Sequence, residues 1–304
     1  MVNHSLQRPR KRPFFFRLLK AGSPLAVIFV VFCIGGLLLF LSFKGAPTLG
    51  AGLFFGDTPA LAAIFGKQPV WDGLWPAFVG SLYLVGLTLC LSLFPGVGCG
   101  VFLAEYASPR VKALAGAAVD MLAGTPSIVM GLFGFTLILF LRHTFAPDAN
   151  TCLLLAAGCL SLLVLPVLIV STREALEAVP QDLKLTAVSL GFTKEQRIRH
   201  IQFPAAASGI GSGIILALGR TAEDTAVIML TGVVANAGLP AGIGAKFEAL
   251  PFSIFYITAQ YQTQEELMRA FGASLVLLFL AGGLVLLARF MEAGYRRRWR
   301  GSAS

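Results

Sequence analysis

Long apolar runs separated by short polar breaks dominate this chain. They extend from about Pro24 to Phe43, Leu74 to Leu103, Pro126 to Leu141, Thr151 to Val170, Ser208 to Leu230 and Met268 to Phe290. About 20 consecutive apolar residues span the hydrocarbon core of a bilayer as a helix, so the pattern predicts an all-α membrane protein with six transmembrane helices. The second run exceeds one perpendicular crossing, which predicts tilt or a part lying at the interface. A polar break at Glu105–Lys112 precedes an Ala-rich helix that ends near Ala123. Residues 44–73 and 231–267 read as loops. The chain thus divides into a basic stretch 1–23, a first helix 24–43, a main transmembrane domain 74–291 carrying an inserted polar loop 172–204, and a basic tail 292–304.

That insert, with its flanks Ser171 to Pro204, has a definite local grammar. Pro180 interrupts one helix and Asp182 suits the first turn of the next. Leu183, Ala187 and Leu190 recur at helical spacing and make one apolar face. Gly191 is placed to end that helix in the left-handed region. Thr193 and Gln196 have capping-box spacing and start another helix. Two short helices bent at a glycine are expected. They are either an ordinary amphipathic surface loop or the docking element for a water-soluble partner.

Composition and charge narrow the class. Of 304 residues 56% are hydrophobic and only 13% charged, with mean hydropathy +0.79, which excludes a soluble globular domain. The net charge of +9 does not point to nucleic acid, because the basic residues flank apolar runs; membrane lipid is the partner they imply. Arg8, Arg10, Lys11, Arg12, Arg17 and Lys20 precede the first run, Arg173, Lys184, Lys194, Arg197 and Arg199 lie in the insert, and Arg296, Arg297, Arg298 and Arg300 follow the last run. The alternate loops hold only Lys44 and Lys67, then Arg142, then Lys246 and Arg269. The positive-inside rule places both termini and the insert in the cytoplasm. The first run is long for a signal peptide and lacks a clean small-residue cleavage site, so it reads as a retained anchor. Cys33, Cys90, Cys99, Cys152 and Cys159 fall in or beside apolar runs with no metal-ligand spacing and are expected to be buried spectators. No internal repeat, Walker sequence, nucleophile–base set or cofactor motif is present, so no catalytic residue, cofactor or metal is expected.

Two clusters could carry chemistry. Around Thr125-Pro126-Ser127, proline removes a backbone donor and disfavours helix in the residue before it. Broken backbone at membrane depth is tolerated where it packs in protein or lines a wet cavity. Gly131 and Gly134 would let another helix approach. The second cluster is Arg220, Glu223, Asp224 and Thr225. Arg220 lies roughly 18 Å along a helix started at Ser208, near mid-membrane, where an ionisable group costs about 2.5–3.5 kcal/mol. On the fifth run Arg220 and Asp224 are four apart and Glu223 three on, so all three share a face, with Ala217, Gly213 and Gly209 below them as a small-residue stripe for close packing. The charges either fix packing as an internal salt bridge or line a path for an oxyanion, whose geometry a guanidinium fork matches.

Three stretches resemble one family. Leu185-Thr186-Ala187, then Gly191, then Ile201-x-Phe203-Pro204 resembles the Glu-Ala-Ala loop of ABC importer permeases, with Leu185 where that family has glutamate. Leu122 through Gly134 is similar to the Leu-Ala-Gly-x-Pro-Ser…Gly-Leu-Phe-Gly segment of phosphate importer permeases, of the PstA type rather than the PstC type. Gly219 through Thr225 resembles their Arg-Ala-x-Gly-Glu-Thr segment, with Asp224 for the glutamate and Glu223 for a glycine. The resemblance covers roughly residues 75–292. It implies the type I importer (MetI-like) fold and a non-catalytic permease subunit in a bacterial inner membrane. Implied partners are a PstC-type permease, two PstB-type ATPase subunits and an extracytoplasmic PstS-type phosphate-binding protein. It further implies a substrate path through Arg220, Glu223, Asp224, Thr225, Thr125 and Ser127, and ATPase coupling through Leu183, Leu185, Ala187, Gly191, Ile201 and Pro204. The alternatives are a permease for sulfate or molybdate, an ion channel or secondary carrier gated by the same charges, and a membrane sensor.

Overall fold

The computed structural model describes residues 14–66 and 68–300. Arg8, Arg10, Lys11, Arg12 and Lys67, on which part of the charge argument rests, lie outside the described residues, as do 301–304. Among the described residues the chain is helical throughout: α1 (Phe14–Gly45), α2 (Ala51–Phe55), α3 (Ala60–Ile64), α4 (Trp75–Val101), α5 (Pro109–Ala123), α6 (Ser127–Thr144), α7 (Leu153–Glu177), α8 (Gln181–Ser189), α9 (Lys194–Arg197), α10 (Phe203–Glu223), α11 (Ala226–Thr231), α12 (Leu250–Gln260) and α13 (Gln264–Arg300). The only β pairing among these residues is one bridge between Val233 and Phe247. Six helical stretches are long and apolar enough to cross a membrane: Ser23–Thr48, Trp75–Tyr106, Ser127–Thr144, Leu153–Glu177, Lys194–Glu223 and Gln264–Gly294. The predicted six-span, all-α architecture is therefore present.

The spans are unequal in role. The apolar stretch of α7 is 61% buried, whereas that of α1 is 0% buried. α7 is the central post. It packs along α4, where added Cβ atoms at Gly96 and Gly100 would meet Leu168 Cβ at 2.7 Å and Thr172 Cβ at 2.5 Å. The largest core cluster joins Leu84 of α4, Leu160 and Leu163 of α7, and Val227 and Ile228 of α11 with Phe247. α1 stands apart and touches α13, through Gly45 against Leu275 and an edge-on contact of Phe40 with Phe271. Its outward apolar side chains suit lipid or another helix, since lipid exposure costs an apolar side chain nothing.

Several boundaries differ from the sequence expectation, each for a local reason. The fourth span continues past Val170 to Glu177, because no proline falls between Val170 and Pro180 to remove a backbone donor. The fifth run is not one helix: it stops at Glu223, and α11 begins afresh at Ala226. The insert's second short helix is not separate either. From α9 the chain passes through a π-turn, Ile198–Gln202, directly into α10. The wider turn, closed by Phe203 N–H on the Ile198 carbonyl, lets the helix run on past Pro204, which has no donor of its own. The two long loops contain α2, α3 and α12. Of the five cysteines expected to be buried, only Cys159 is; Cys33 and Cys90 are exposed and the other two half-buried. Their spans face lipid or a partner rather than the core of this chain.

Candidate functional site

The break in the fifth span is built by Asp224. Its backbone is extended (φ −73°, ψ 115°). Its Oδ1 accepts the Val227 N–H at 2.9 Å, and the carboxylate also takes the Ala226 N–H. Side-chain capping of this kind satisfies donors that a new helix start leaves open. Thr225 sits at the N-cap position of α11, with its hydroxyl making no cap bond. The one-face arrangement expected for Arg220, Glu223 and Asp224 is thereby corrected: Asp224 has left the helix, and Glu223 is exposed while Arg220 and Asp224 are half-buried.

α6 closes the site from the other side. An added Cβ at Gly131 would meet the Ala226 carbonyl at 3.0 Å and Val227 Cα at 3.1 Å, and one at Gly134 would meet Cys159 Sγ at 2.5 Å. These two glycines bring α6 against α11 and α7, as their spacing predicted. Ser127, at the first turn of α6, is a polar neighbour of the Asp224 carboxylate, and Arg220 acts on the same carboxylate electrostatically. The start of α6 thus brings Ser127 to Arg220 and Asp224 at the end of α10. Thr125 lies in the α5–α6 break, where its hydroxyl donates to the Met121 carbonyl at 3.1 Å. None of the ion pairs within 4 Å among the described residues involves Arg220. A guanidinium carries five donors, so this one has capacity left over.

The small-residue stripe below it is realised. Added Cβ atoms at Gly209 and Gly213 would meet Ala175 Cβ at 2.5 Å and Ser171 Oγ at 1.9 Å, and Ala217 is fully buried. These contacts fasten α10 to α7. The neighbouring face of α10, with Ser212, Leu216 and Glu223, is exposed.

The second candidate region is the polar insert. α8 ends in a Schellman arrangement: Phe192 N–H to the Ala187 carbonyl at 3.1 Å and Gly191 N–H to Val188 at 3.0 Å, with Gly191 at φ +79°. The capping box is complete, Thr193 N–H to Gln196 Oε1 at 2.9 Å and Gln196 N–H to Thr193 Oγ1 at 3.3 Å. The predicted apolar face of α8 is only partly inward. Ala187 is buried, but Leu183, Leu185, Val188 and Leu190 are 46%, 62%, 52% and 71% exposed. Four large apolar side chains at that exposure on one short charged segment make a contiguous apolar patch of the kind a partner can cover. Ile201 and Pro204 are half-buried at the root of α10.

The sequence reading missed two features. Glu105, in the π-turn that ends α4, binds Lys184 of α8 at 3.3 Å and Arg197 of α9 at 3.5 Å. Gln202, fully buried, turns its amide to donate to Glu105 Oε1 at 3.0 Å and to accept from Arg197 Nε at 3.2 Å. A lone acid at the end of an apolar run was the only available signal; partners 79 and 92 residues away are not legible by spacing. The second is Glu248, in the loop before α12, which accepts the Gly238 N–H at 2.8 Å. Burial pushes its carboxyl up to about 7, against the lowering pull of the Gly238 and Ala237 N–H groups.

With this geometry in view, known proteins place the chain. The family "Binding-protein-dependent transport system inner membrane component" matches residues 96–301. The phosphate transport system permease protein PstA of Haemophilus influenzae is 31% identical over 265 residues, covering 87% of this chain and 89% of that one. PstA 1 of Mycobacterium tuberculosis is 32% identical over 233 residues, 75% and 72% of the two chains. Among solved structures, a chain of the bacterial alginate ABC transporter in complex with an alginate pentasaccharide-bound periplasmic protein superposes with a TM-score of 0.60 at 14% identity, covering 92% of this chain and 96% of that one. A chain of the inward-facing MetNI methionine ABC transporter gives 0.50 at 17% identity, 79% and 99%. At those identities the structures speak for the fold alone.

Proposed function

From the premise that the chain belongs to the binding-protein-dependent transport inner membrane component family, as an ABC importer permease of the PstA type and a multi-pass protein of the inner membrane, we propose that it forms half of an ATP-driven path for inorganic phosphate. The observation that carries the substrate is Arg220: a half-buried guanidinium at a helix break, sharing one carboxylate with Ser127 and holding unused donors. A tetrahedral oxyanion is matched by such a fork. Asp224 keeps the site from being strongly positive, so an anion is held weakly enough to leave. Thr225 and Ser127 offer hydroxyls beside it, Thr125 borders it, and Glu223 lies on the exposed face of α10 towards the second permease.

The partners follow from the faces left open. A PstC-type permease completes the path against the exposed faces of α6 and α10. A PstB-type ATPase pair docks on α8 through Leu183, Leu185, Val188 and Leu190, and on the bend at Gly191. Leu185 makes this contact apolar where the family's glutamate would make it polar. A PstS-type binding protein delivers phosphate on the opposite face. Both termini and the insert lie on the cytoplasmic side, as the positive-inside count requires. ATP binding in the partner favours one of two helix packings; Ile201 and Pro204 carry that choice from the loop into α10.

Reconstitution of the permease pair, ATPase and binding protein in proteoliposomes tests this reading. Labelled phosphate should enter only with ATP and only with the ATPase present, and unlabelled sulfate or molybdate should not compete. Competition by sulfate or molybdate would reassign the anion, and uptake without the ATPase would make the chain a carrier or channel.

A further inference from the structure

A single carboxylate gathers three separate elements beneath the membrane path. Glu105 leaves the helical course of α4 in a π-turn, and its side chain is only 9% exposed. It meets Lys184 from the middle of α8 and Arg197 from the end of α9, with Gln202 from the second π-turn closing the ring. Lys184 also donates to the Leu176 carbonyl at 3.2 Å, one of the last acceptors of α7. Nearby, Lys194 stacks on the Tyr106 ring at 4.2 Å, and Lys112 of α5 pairs with Glu177 of α7. The two π-turns are the places where an extra backbone residue re-aims a side chain without ending the helix. Here they aim Glu105 and Gln202 at each other.

We propose that Glu105 is a positioning residue that locks α8 and α9 to the ends of α4, α7 and α10, so that a displacement of the insert moves those spans as one body. The reason is the distribution of attachment. α8 buries only Ala187 among its own residues, so packing alone leaves it loosely held. Covalently it is joined to α10 through the bend at Gly191, where φ is +79° and an added Cβ would meet nothing within 4 Å. The ion cluster is the rigid connection across that joint. Its groups are largely desolvated and mutually satisfied, and removing one partner leaves buried charge uncompensated. This inference rests on the importer reading for its functional consequence but not for its mechanical one.

The test has two arms. In the first, the purified chain alone carries spin labels at Ser189 of α8 and Phe94 of α4, with the native cysteines replaced, and the label–label distance is measured in nanodiscs. One narrow distance is expected in the parent. Glu105→Gln should broaden and shift it. Lys184→Met, which cuts only the α8 arm and leaves Glu105 with Arg197 and Gln202, should do the same and serves if Glu105→Gln fails to fold. An unchanged distribution in both variants overturns the lock. In the second arm the full importer is reconstituted, and phosphate moved per ATP is compared. A fall of about tenfold is expected, with ATP hydrolysis retained, on the scale of coupling between distant sites. An unchanged ratio alongside a broadened distance overturns the transmitting role. If the parent importer moves no phosphate, the functional reading has failed, while the distance arm still decides whether Glu105 holds α8.

Discussion

Two sites put ionised groups against apolar sequence, and they treat those groups in opposite ways. At the foot of α4, Glu105 is met by Lys184, Arg197 and Gln202, so the charges are answered from within the chain. At the break in the fifth span, Arg220 has only a shared electrostatic contact with Asp224, which is itself occupied by Val227, Ala226 and Ser127. A desolvated charge that its own fold satisfies can hold elements in place, since breaking it costs about 3–5 kcal/mol. A charge with donors to spare holds nothing firmly and has room for a ligand. On the proposed function, the first site is where force would be transmitted and the second where an anion would pass.

The sharpest way to break this contrast is at Arg220. Arg220→Gln should leave the protein in the membrane at parental amount and cut phosphate uptake about 100-fold, the loss of ~3 kcal/mol in charged hydrogen bonds to the anion. Parental uptake with normal expression would reduce Arg220 to packing. Gly191→Pro comes next. Proline cannot adopt the left-handed φ of this joint and deletes the N–H that binds Val188. We expect ATP hydrolysis to persist with transport per ATP down about tenfold, again on the scale of inter-site coupling; an unaltered ratio would show that the bend transmits nothing.

Asp224→Asn sharpens the comparison, because asparagine keeps an acceptor for the α11 cap and removes only the charge. Uptake should fall a few-fold, roughly the 1 kcal/mol of one hydrogen bond, with stability unchanged. A large loss of thermal stability would mean that Asp224 serves the fold and not the path. The smallest effect is at Glu248. Its carboxyl is raised to about 7 in the folded chain from 4.5. The folded state therefore keeps its proton where the unfolded chain has lost it. Stability is highest below about 4.5, falls as pH rises towards about 7 and levels off above, which amounts to about 1 kcal/mol between about pH 6 and about pH 8. Thermal unfolding in detergent across that range should show the slope in the parent and a flatter one in Glu248→Gln; identical slopes would remove Glu248 as its source.

Much of the architecture was legible before any coordinates. Apolar run length marked all six spans, and turn chemistry marked Gly191 and the Thr193–Gln196 box, because these depend on a few neighbouring residues. Glycine spacing correctly placed close approaches at Gly131, Gly134, Gly209 and Gly213. The break at Asp224 escaped notice, since an aspartate four residues after an arginine looks like a helical pair until its carboxylate is seen capping α11. The continuity of α9 into α10 was hidden by Pro204, which reads as a boundary unless a π-turn absorbs it. The outward turn of Leu183 and Leu190 could not be told from an inward one by spacing alone.

Hydrophobic length and local hydrogen-bonding chemistry, both short-range, were sufficient for this chain to declare itself a six-helix membrane protein with a bent polar insert. Only the folded arrangement decided which charges are neutralised and which are left with open valence. Glu105 finds its partners some 79 and 92 residues away, and Arg220 meets Ser127 only through the carboxylate they share. The Glu105 pairings, and the approach of α6 to the end of α10, depend on how the helices pack around α7, and packing is set by the whole chain at once.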